Sequence, residues 1–264
     1  MALINPVALP LKWLRSMLKT DAPLYTYLPT HEIVNDYAEF SGLSIDEIAR
    51  CINRNTDLNK QSWQTIRANV SWQEAASRFY AVSYTYAFDL LSMNYSKRAI
   101  LDKLNGFNPE IVRMIKDHPG SEFLEFGGGL GAFCEIVLGW GKRVTYLDIP
   151  GHVMDFASWR FRKYGLPIEI IVSSSTELKL HRSFDIIHTD AVFEHLIDPH
   201  QVLVELLAHV NPGGVLILLI DLGEDPERPM HRPIDVVGLH RQIRGAGFSN
   251  AFGENTFASA WIKP

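Results

Sequence analysis

The stretch 123-FLEFGGGLGAF-133 decides how the rest of the chain is read. Phe123, Leu124 and Phe126 make a short apolar run broken only by the acid Glu125, and Gly127, Gly128, Gly129 and Gly131 follow. An apolar run of this length that ends in glycines reads as a buried strand. The glycines let the backbone turn tightly and approach a ligand closely. The residues from Gly131 to Gly141 then read as a helix. Strand, glycine turn and helix together open a parallel sheet wound with helices.

Working toward the C-terminus, the alternation continues. Residues 143–149 (RVTYLDI) read as a strand, 152–165 as a helix, 168–173 as a strand and 184–189 (FDIIHT) as a strand. Residues 191–210 read as a helix broken near Pro199, 213–221 (GGVLILLID) as a strand and 236–247 as a helix. Two closing strands, 248–253 and 257–263, have no helix between them and read as an antiparallel edge hairpin. The expected fold is α/β: a doubly wound, mostly parallel, seven-stranded Rossmann-like sheet preceded by a helical segment. No internal repeat interrupts it.

Toward the N-terminus the pattern is helical. Thr30 caps a helix that stops at Gly42, and Ser44 with Glu47 three residues later is a capping-box pattern. Residues 37–52 together look like a helix-turn-helix fragment, but no basic recognition helix follows, so DNA binding is not expected. Residues 71–104 read as one long aromatic helix broken near Asn94, and Asn108-Pro109 caps a short helix that ends at Pro119-Gly120. The expected division is 1–110, a helical accessory, dimerisation or lid region, and 111–264, the sheet domain. The arm at 1–20 is apolar and basic, but Pro6 and Pro10 interrupt it and no small-residue cleavage site follows, so it does not read as a signal peptide.

Bulk composition narrows the function classes. The chain has 264 residues, 47% of them hydrophobic, and a formal net charge of −5. Residues 1–110 hold 11 basic and 11 acidic side chains, which leaves 14 basic (25 − 11) and 19 acidic (30 − 11) for the rest. Neither part carries a basic nucleic-acid footprint. No stretch reaches the ~20 apolar residues of a membrane span. Cys51 and Cys134 read as reduced thiols of a cytoplasmic protein. The expected partner is a small molecule, with no nucleic acid and no membrane.

The glycine turn fits two templates. From Gly127 it is G-x-G-x-x-A, a dinucleotide fingerprint. From Glu125 it is E-x-G-x-G-x-G, the shape of a loop that holds S-adenosylmethionine (SAM). The glycines serve either. Glu125 separates them: its charge opposes a nearby pyrophosphate and suits the ammonium and sulfonium of SAM. Asp148, at the end of the second strand, is placed to accept hydrogen bonds from ribose hydroxyls in both cases.

With these motifs in order, the chain resembles the class I SAM-dependent methyltransferases over about residues 110–264. "LEFGGGLG" matches the glycine motif, "YLDIP" the second-strand acid, "FDIIHTDAVFEHL" the fourth strand, and "NPGGVLILL" the fifth. It is further similar to small-molecule O-methyltransferases that carry an N-terminal helical dimerisation domain. The resemblance implies a cofactor, SAM, held by Glu125, Gly127, Gly129, Gly131, Asp148, Ile149 and Asp190. Ser174 stands where many members place an acid near the adenine. It also implies a possible homodimer through the N-terminal helices. Those O-methyltransferases carry a histidine beyond the fourth strand; here Glu194 takes that register and His195 follows.

Methylation of a hydroxyl needs a base near neutral pKa. His195 is the first candidate, Glu194 the second, and Asp190 an orienting group. Tyr84, Tyr86 and Tyr95 on the aromatic helix, and His231 in the late loop 221–235, are candidate substrate contacts. Asp190, Glu194, His195 and His200 are close in sequence, but their spacing is not that of a standard zinc or magnesium site, and no metal is expected. The run "TDAVF" lacks the prolines of the enzymes that methylate exocyclic base nitrogens. N- or C-methylation stays open beside O-methylation. Two alternatives remain: a SAM-binding protein of this fold that transfers no methyl, and an NAD-dependent oxidoreductase, which Glu125 disfavours.

Overall fold

The computed structural model describes residues 32–174, 177–221 and 226–264. The arm at 1–20 and the Thr30 cap lie outside the described residues. Seven helices come first: α1 (Glu32–Ser41), α2 (Ile45–Asn53), α3 (Asn55–Arg67), α4 (Trp72–Val82), α5 (Tyr86–Met93), α6 (Lys97–Phe107) and α7 (Pro109–Asp117). Then β1 (Glu122–Phe126), α8 (Ala132–Gly139), β2 (Arg143–Asp148), α9 (His152–Lys163) and β3 (Glu169–Val172) alternate. They are followed by β4 (Phe184–Asp190), a 3-10 turn (Phe193–His195), α10 (Pro199–Ala208), β5 (Val210–Leu219), α11 (Val236–Gly245), β6 (Ser249–Phe252) and β7 (Ala258–Ile262).

Local chemistry accounts for the helix ends. Gly42 has φ +74°, the left-handed conformation that stops α1. The Ser44 hydroxyl accepts from the Glu47 amide while the Glu47 carboxylate accepts from the Ser44 amide, the full capping box of α2. The Asn108 side chain accepts from the Glu110 amide and Pro109 starts α7.

The aromatic segment 71–104 breaks near Asn94, as expected, and at one further place that was not expected. It forms α4, α5 and α6, with breaks at Ser83–Thr85 and Asn94–Ser96. The first break has a buried polar cause. The Thr85 hydroxyl donates to Asn59 Oδ1 at 2.8 Å and meets the Ser83 hydroxyl at 2.7 Å, and Ser83 reaches Ser62 at 3.0 Å. Satisfying these hydroxyls against α3 turns the chain out of the helix.

The sheet order is β3-β2-β1-β4-β5-β7-β6. All neighbours are parallel except β7, which runs antiparallel between β5 and β6. Alternate residues feed two cores. Leu216 and Leu218 of β5 face Leu203 and Leu206 of α10 and Leu239 and Ile243 of α11. Val215 and Ile217 lie on the other face, in one core that also contains Phe156 of α9 and Ile33, Phe88 and Leu104 of the N-terminal helices. The helical segment and this sheet face therefore share a single core.

A buried ion network ties that segment down. Arg160 of α9 is 1% exposed. It donates from Nε to Asp36 of α1 at 2.9 Å and forms an ion pair with Glu135 of α8. Lys163 and the Tyr164 hydroxyl also donate to Asp36, at 2.8 and 2.6 Å. Removing one partner of such a group leaves a buried charge uncompensated. Asp36→Asn is expected to destabilise the chain by about 3 kcal/mol. Urea unfolding followed by far-UV circular dichroism checks this, and an unchanged midpoint would contradict it.

Candidate active site

The sheet winds in opposite directions from β1 and β4, which are neighbours. A crevice opens beyond their carboxyl ends, where ligands settle in sheets of this type. A cavity lies there. Its floor is Glu125, Gly127, Gly128, Gly129, Asp148, Ile149, Ser174 and Asp190, and its roof comes from α4, α5 and α6 through Tyr80, Tyr86, Asp89, Met93 and Lys103.

The glycine turn is required by packing. Gly127 has φ +71°, and a Cβ there would come within 2.4 Å of the Val192 side chain. Gly131 has φ +72°, and its Cβ would strike the Phe161 ring at 2.4 Å. Gly131 thus opens α8 behind the turn and does not line the cavity. The turn is clamped by Asp148, whose Oδ2 accepts from the Gly129 amide at 2.9 Å and whose Oδ1 accepts from the Ile149 amide at 2.8 Å. Burial pushes the Asp148 carboxyl up to about 6, against the pull of these two amides and the Tyr146 hydroxyl.

Two acids sit at the strand ends. Glu125 is 4% exposed and shares a 2.8 Å hydrogen bond with Nδ1 of His188 on β4. Burial raises its pKa, with the His188 charge opposing. Asp190 is ion-paired with Lys103, which reaches down from α6. The floor therefore carries carboxylates that are already partly matched.

The far end of the cavity is built by three segments that meet. His195 ends the 3-10 turn after β4, Tyr80 comes from α4, and His231 and Arg228 come from the strap that follows β5. The Tyr80 hydroxyl hydrogen-bonds His195 Nδ1 at 2.5 Å. The His195 ring meets the Tyr80 ring at 4.7 Å and the His231 ring edge-on at 4.5 Å. Burial, with the nearby His231 and Arg228, drives the His195 pKa well below its ordinary value, so the ring is neutral. Burial also raises the pKa of Tyr80, which keeps its proton.

Glu194 is fully buried and does not line the cavity. Neither of its carboxylate oxygens has a hydrogen-bond partner. Its own amide and that of Asp221 lie close enough to favour the charge, without forming bonds of normal geometry. Burial dominates and pushes the carboxyl up to about 8, with Asp221 and Asp190 adding to the rise. The Arg232 amide donates to Glu194 O at 3.0 Å, which holds the strap over this turn.

The structure brings together Glu125, Gly127, Gly129, Asp148, Ile149, Ser174, Asp190, Tyr86, His195 and His231 of the residues named from sequence. It does not bring in Tyr84 or Tyr95. Tyr84 is 58% exposed and packs on Phe88 and His152 outside the cavity. Tyr95 packs against the core. His200 bonds Gln242 on α11 and lies apart from Glu194 and His195 as a potential ligand. Sequence reading missed Tyr80, Asp89, Lys103 and Arg228. Tyr80 lay in the aromatic run already singled out, so its type was visible and its direction was not.

Residues 124–218 match the family model described as a methyltransferase domain. The ubiquinone biosynthesis O-methyltransferase of Rickettsia felis is 25% identical over 140 residues, covering 50% of this chain and 57% of that protein. The malonyl-(acyl-carrier protein) O-methyltransferase of Serratia marcescens is 28% identical over 132 residues, covering 50% of this chain and 49% of that one. The matched region spans about half the length of these curated relatives. Among solved structures, magnesium protoporphyrin IX methyltransferase from Synechocystis, with bound SAM, superposes at a TM-score of 0.55 and 10% identity. That match covers 75% of this chain and 100% of the other. An O-methyltransferase family protein from Burkholderia thailandensis gives 0.53 and 15%, covering 81% and 71%. At these identities the structural likeness is one of fold, the Rossmann-like methyltransferase fold.

The clamp on the glycine turn is directly measurable. The Asp148 side-chain carboxyl should titrate near 6 by carbon-detected NMR of the ligand-free protein, and the Gly129 amide should shift with it. A midpoint near the ordinary value of about 4 would mean that Asp148 is not buried as described.

Proposed function

We propose that this chain, which carries a class I methyltransferase domain, is a SAM-dependent methyltransferase that methylates a hydroxyl of a small molecule. One observation carries the reading: a carboxylate-and-glycine floor lies at one end of a single cavity and a buried Tyr80–His195 pair at the other. The residues present fit the cofactor. Asp148 suits ribose hydroxyls, and the backbone of Gly127 to Gly129 suits close approach by the methionine part. Glu125 and Asp190 suit its ammonium, and Ser173 and Ser174 lie beside Asp148 on the adenine side.

When bound, SAM supplies an electrophilic methyl on a sulfonium. The remaining work falls to the chain. The floor fixes one reactant and the roof the other, so that the acceptor oxygen meets the methyl in line. His195 takes the acceptor's hydroxyl proton. In the tautomer that acts as base, Nδ1–H donates to the Tyr80 oxygen, which fixes the ring's orientation and leaves the Nε2 lone pair to take the proton. Tyr80 is a positioning residue in this scheme. Tyr86 and Met93 supply apolar wall for a ring or short chain.

The same reading makes the acceptor a diffusible small molecule met in the cytoplasm rather than a nucleic acid, in keeping with the net charge of −5. Among the described residues no helix is long and apolar enough to cross a membrane. A homodimer through the N-terminal helices is part of the proposal, with Val82 and Tyr84 exposed at the end of α4 as the residues to test.

Calorimetry with SAM, S-adenosylhomocysteine and NADH, followed by a methylation screen of phenols, catechols and carboxylic acids, tests the proposal. Binding of NADH with no binding of SAM would overturn it. SAM binding with no acceptor methylated would favour the protein that holds SAM without transferring methyl. Two finer outcomes are expected. His195→Ala should lower turnover about 100- to 1,000-fold with SAM affinity kept. SAM affinity should fall about tenfold between pH 7 and pH 5, because the ionised Asp148 that accepts from the ribose is lost below about 6.

A further inference from the structure

Glu194, Asp221 and His231 come from two separate segments, the turn after β4 and the strap after β5. Each offers one donor atom, and the three atoms lie within 4.8 Å of one another. Asp221 Oδ2 and His231 Nδ1 are 3.8 Å apart. Donors around one cation at bonds of about 2.1 Å stand roughly 3 to 4.3 Å from one another, so a small side-chain rotation closes the set. Spacing alone would not make a site. The second observation is Glu194 itself: it is 0% exposed, and both carboxylate oxygens lack a hydrogen-bond partner. Buried carboxylates in folded proteins are paired, hydrogen-bonded or coordinated to metals.

We propose that Glu194, Asp221 and His231 form a divalent-cation site just behind the far end of the cavity, with His231 as the ligand that also lines it. Arg228 lies beside the set, 3.7 Å from Asp221 and 3.6 Å from Asp89. Donor chemistry narrows the ion. Two carboxylates and one imidazole, with no thiolate, suit Mn2+ or Zn2+ better than Mg2+, which prefers oxygen and water.

The position gives the ion a task, on the methyltransferase reading above. His231 lines the cavity and its ring lies 4.5 Å from that of His195. An ion held by His231 therefore stands beside the base, where it would bind an acceptor oxygen and ease loss of its proton. An acceptor with two neighbouring oxygen functions would gain most, one oxygen on the ion and one on the methyl.

The test is direct binding. The full chain is stripped with a chelator and titrated with Mn2+ alone, followed by the loss of the free-ion EPR signal, and with Zn2+ alone by calorimetry. One ion per chain is expected. Glu194→Gln and Asp221→Asn should each weaken binding at least tenfold. Glu194→Gln keeps the side chain's shape, and if it fails to fold, Asp221→Asn carries the test. Absence of binding of either ion below about 1 mM, or wild-type binding in the folded variants, would overturn the site. SAM binding measured on the same samples reports on the methyltransferase reading separately.

Discussion

The guanidinium of Arg160 is the point on which the arrangement depends. It sits in the shared core, 1% exposed, between Asp36 of the helical segment and Glu135 of the sheet domain. A buried guanidinium needs its charge and donors matched, and both matches come from different elements. Its burial is therefore possible only when α1 lies against α8 and α9. That contact fixes the helical segment over the sheet. Once fixed, α4 to α6 cover the carboxyl ends of β1 and β4. An open crevice becomes a roofed cavity, with low dielectric at the place where charge must be handled.

The two ends of that cavity are electrostatically unlike. At the floor each acid has a partner: Asp148 holds amides, Glu125 holds His188, and Asp190 holds Lys103. These contacts keep the glycine turn and strand ends in place before any ligand arrives, which is preorganisation in the ordinary sense. At the far end a neutral histidine is oriented by a tyrosine, next to a carboxylate that no protein donor satisfies. One end reads as a grip and the other as a place for chemistry.

Much of the floor was legible in the sequence, because it is local. A strand, a glycine turn and an acid at the end of the next strand are set by spacing within about thirty residues, and Glu125, Gly127 and Asp148 fell where expected. The roof was not legible, because its direction is set by tertiary hydrogen bonds. In one continuous helix Tyr80 and Tyr84, four residues apart, would share a face. The buried Asn59–Thr85–Ser83–Ser62 hydroxyl chain ends α4 at that point. Tyr80 is turned inward to His195 and Tyr84 outward to solvent. No period in the sequence encodes that break. Glu194 and Asp221 are likewise 27 positions apart, and only the parallel pairing of β4 with β5 brings them together.

The same division explains what the comparisons carry. The methyltransferase family model covers residues 124–218, which contain the glycine turn, Asp148 and the turn with His195. Tyr80, Tyr86, Asp89 and Met93 precede that span, and Arg228 and His231 follow it. Apart from His195, the far-end groups Tyr80, Arg228 and His231 come from the roof and the strap, outside the span of that family model. Met230 packs the strap onto Trp63 of α3 and Ala76 and Phe79 of α4, so strap and roof are packed together. The roof also reaches the floor, through the Lys103–Asp190 ion pair, so the helical segment contributes to both ends of the cavity.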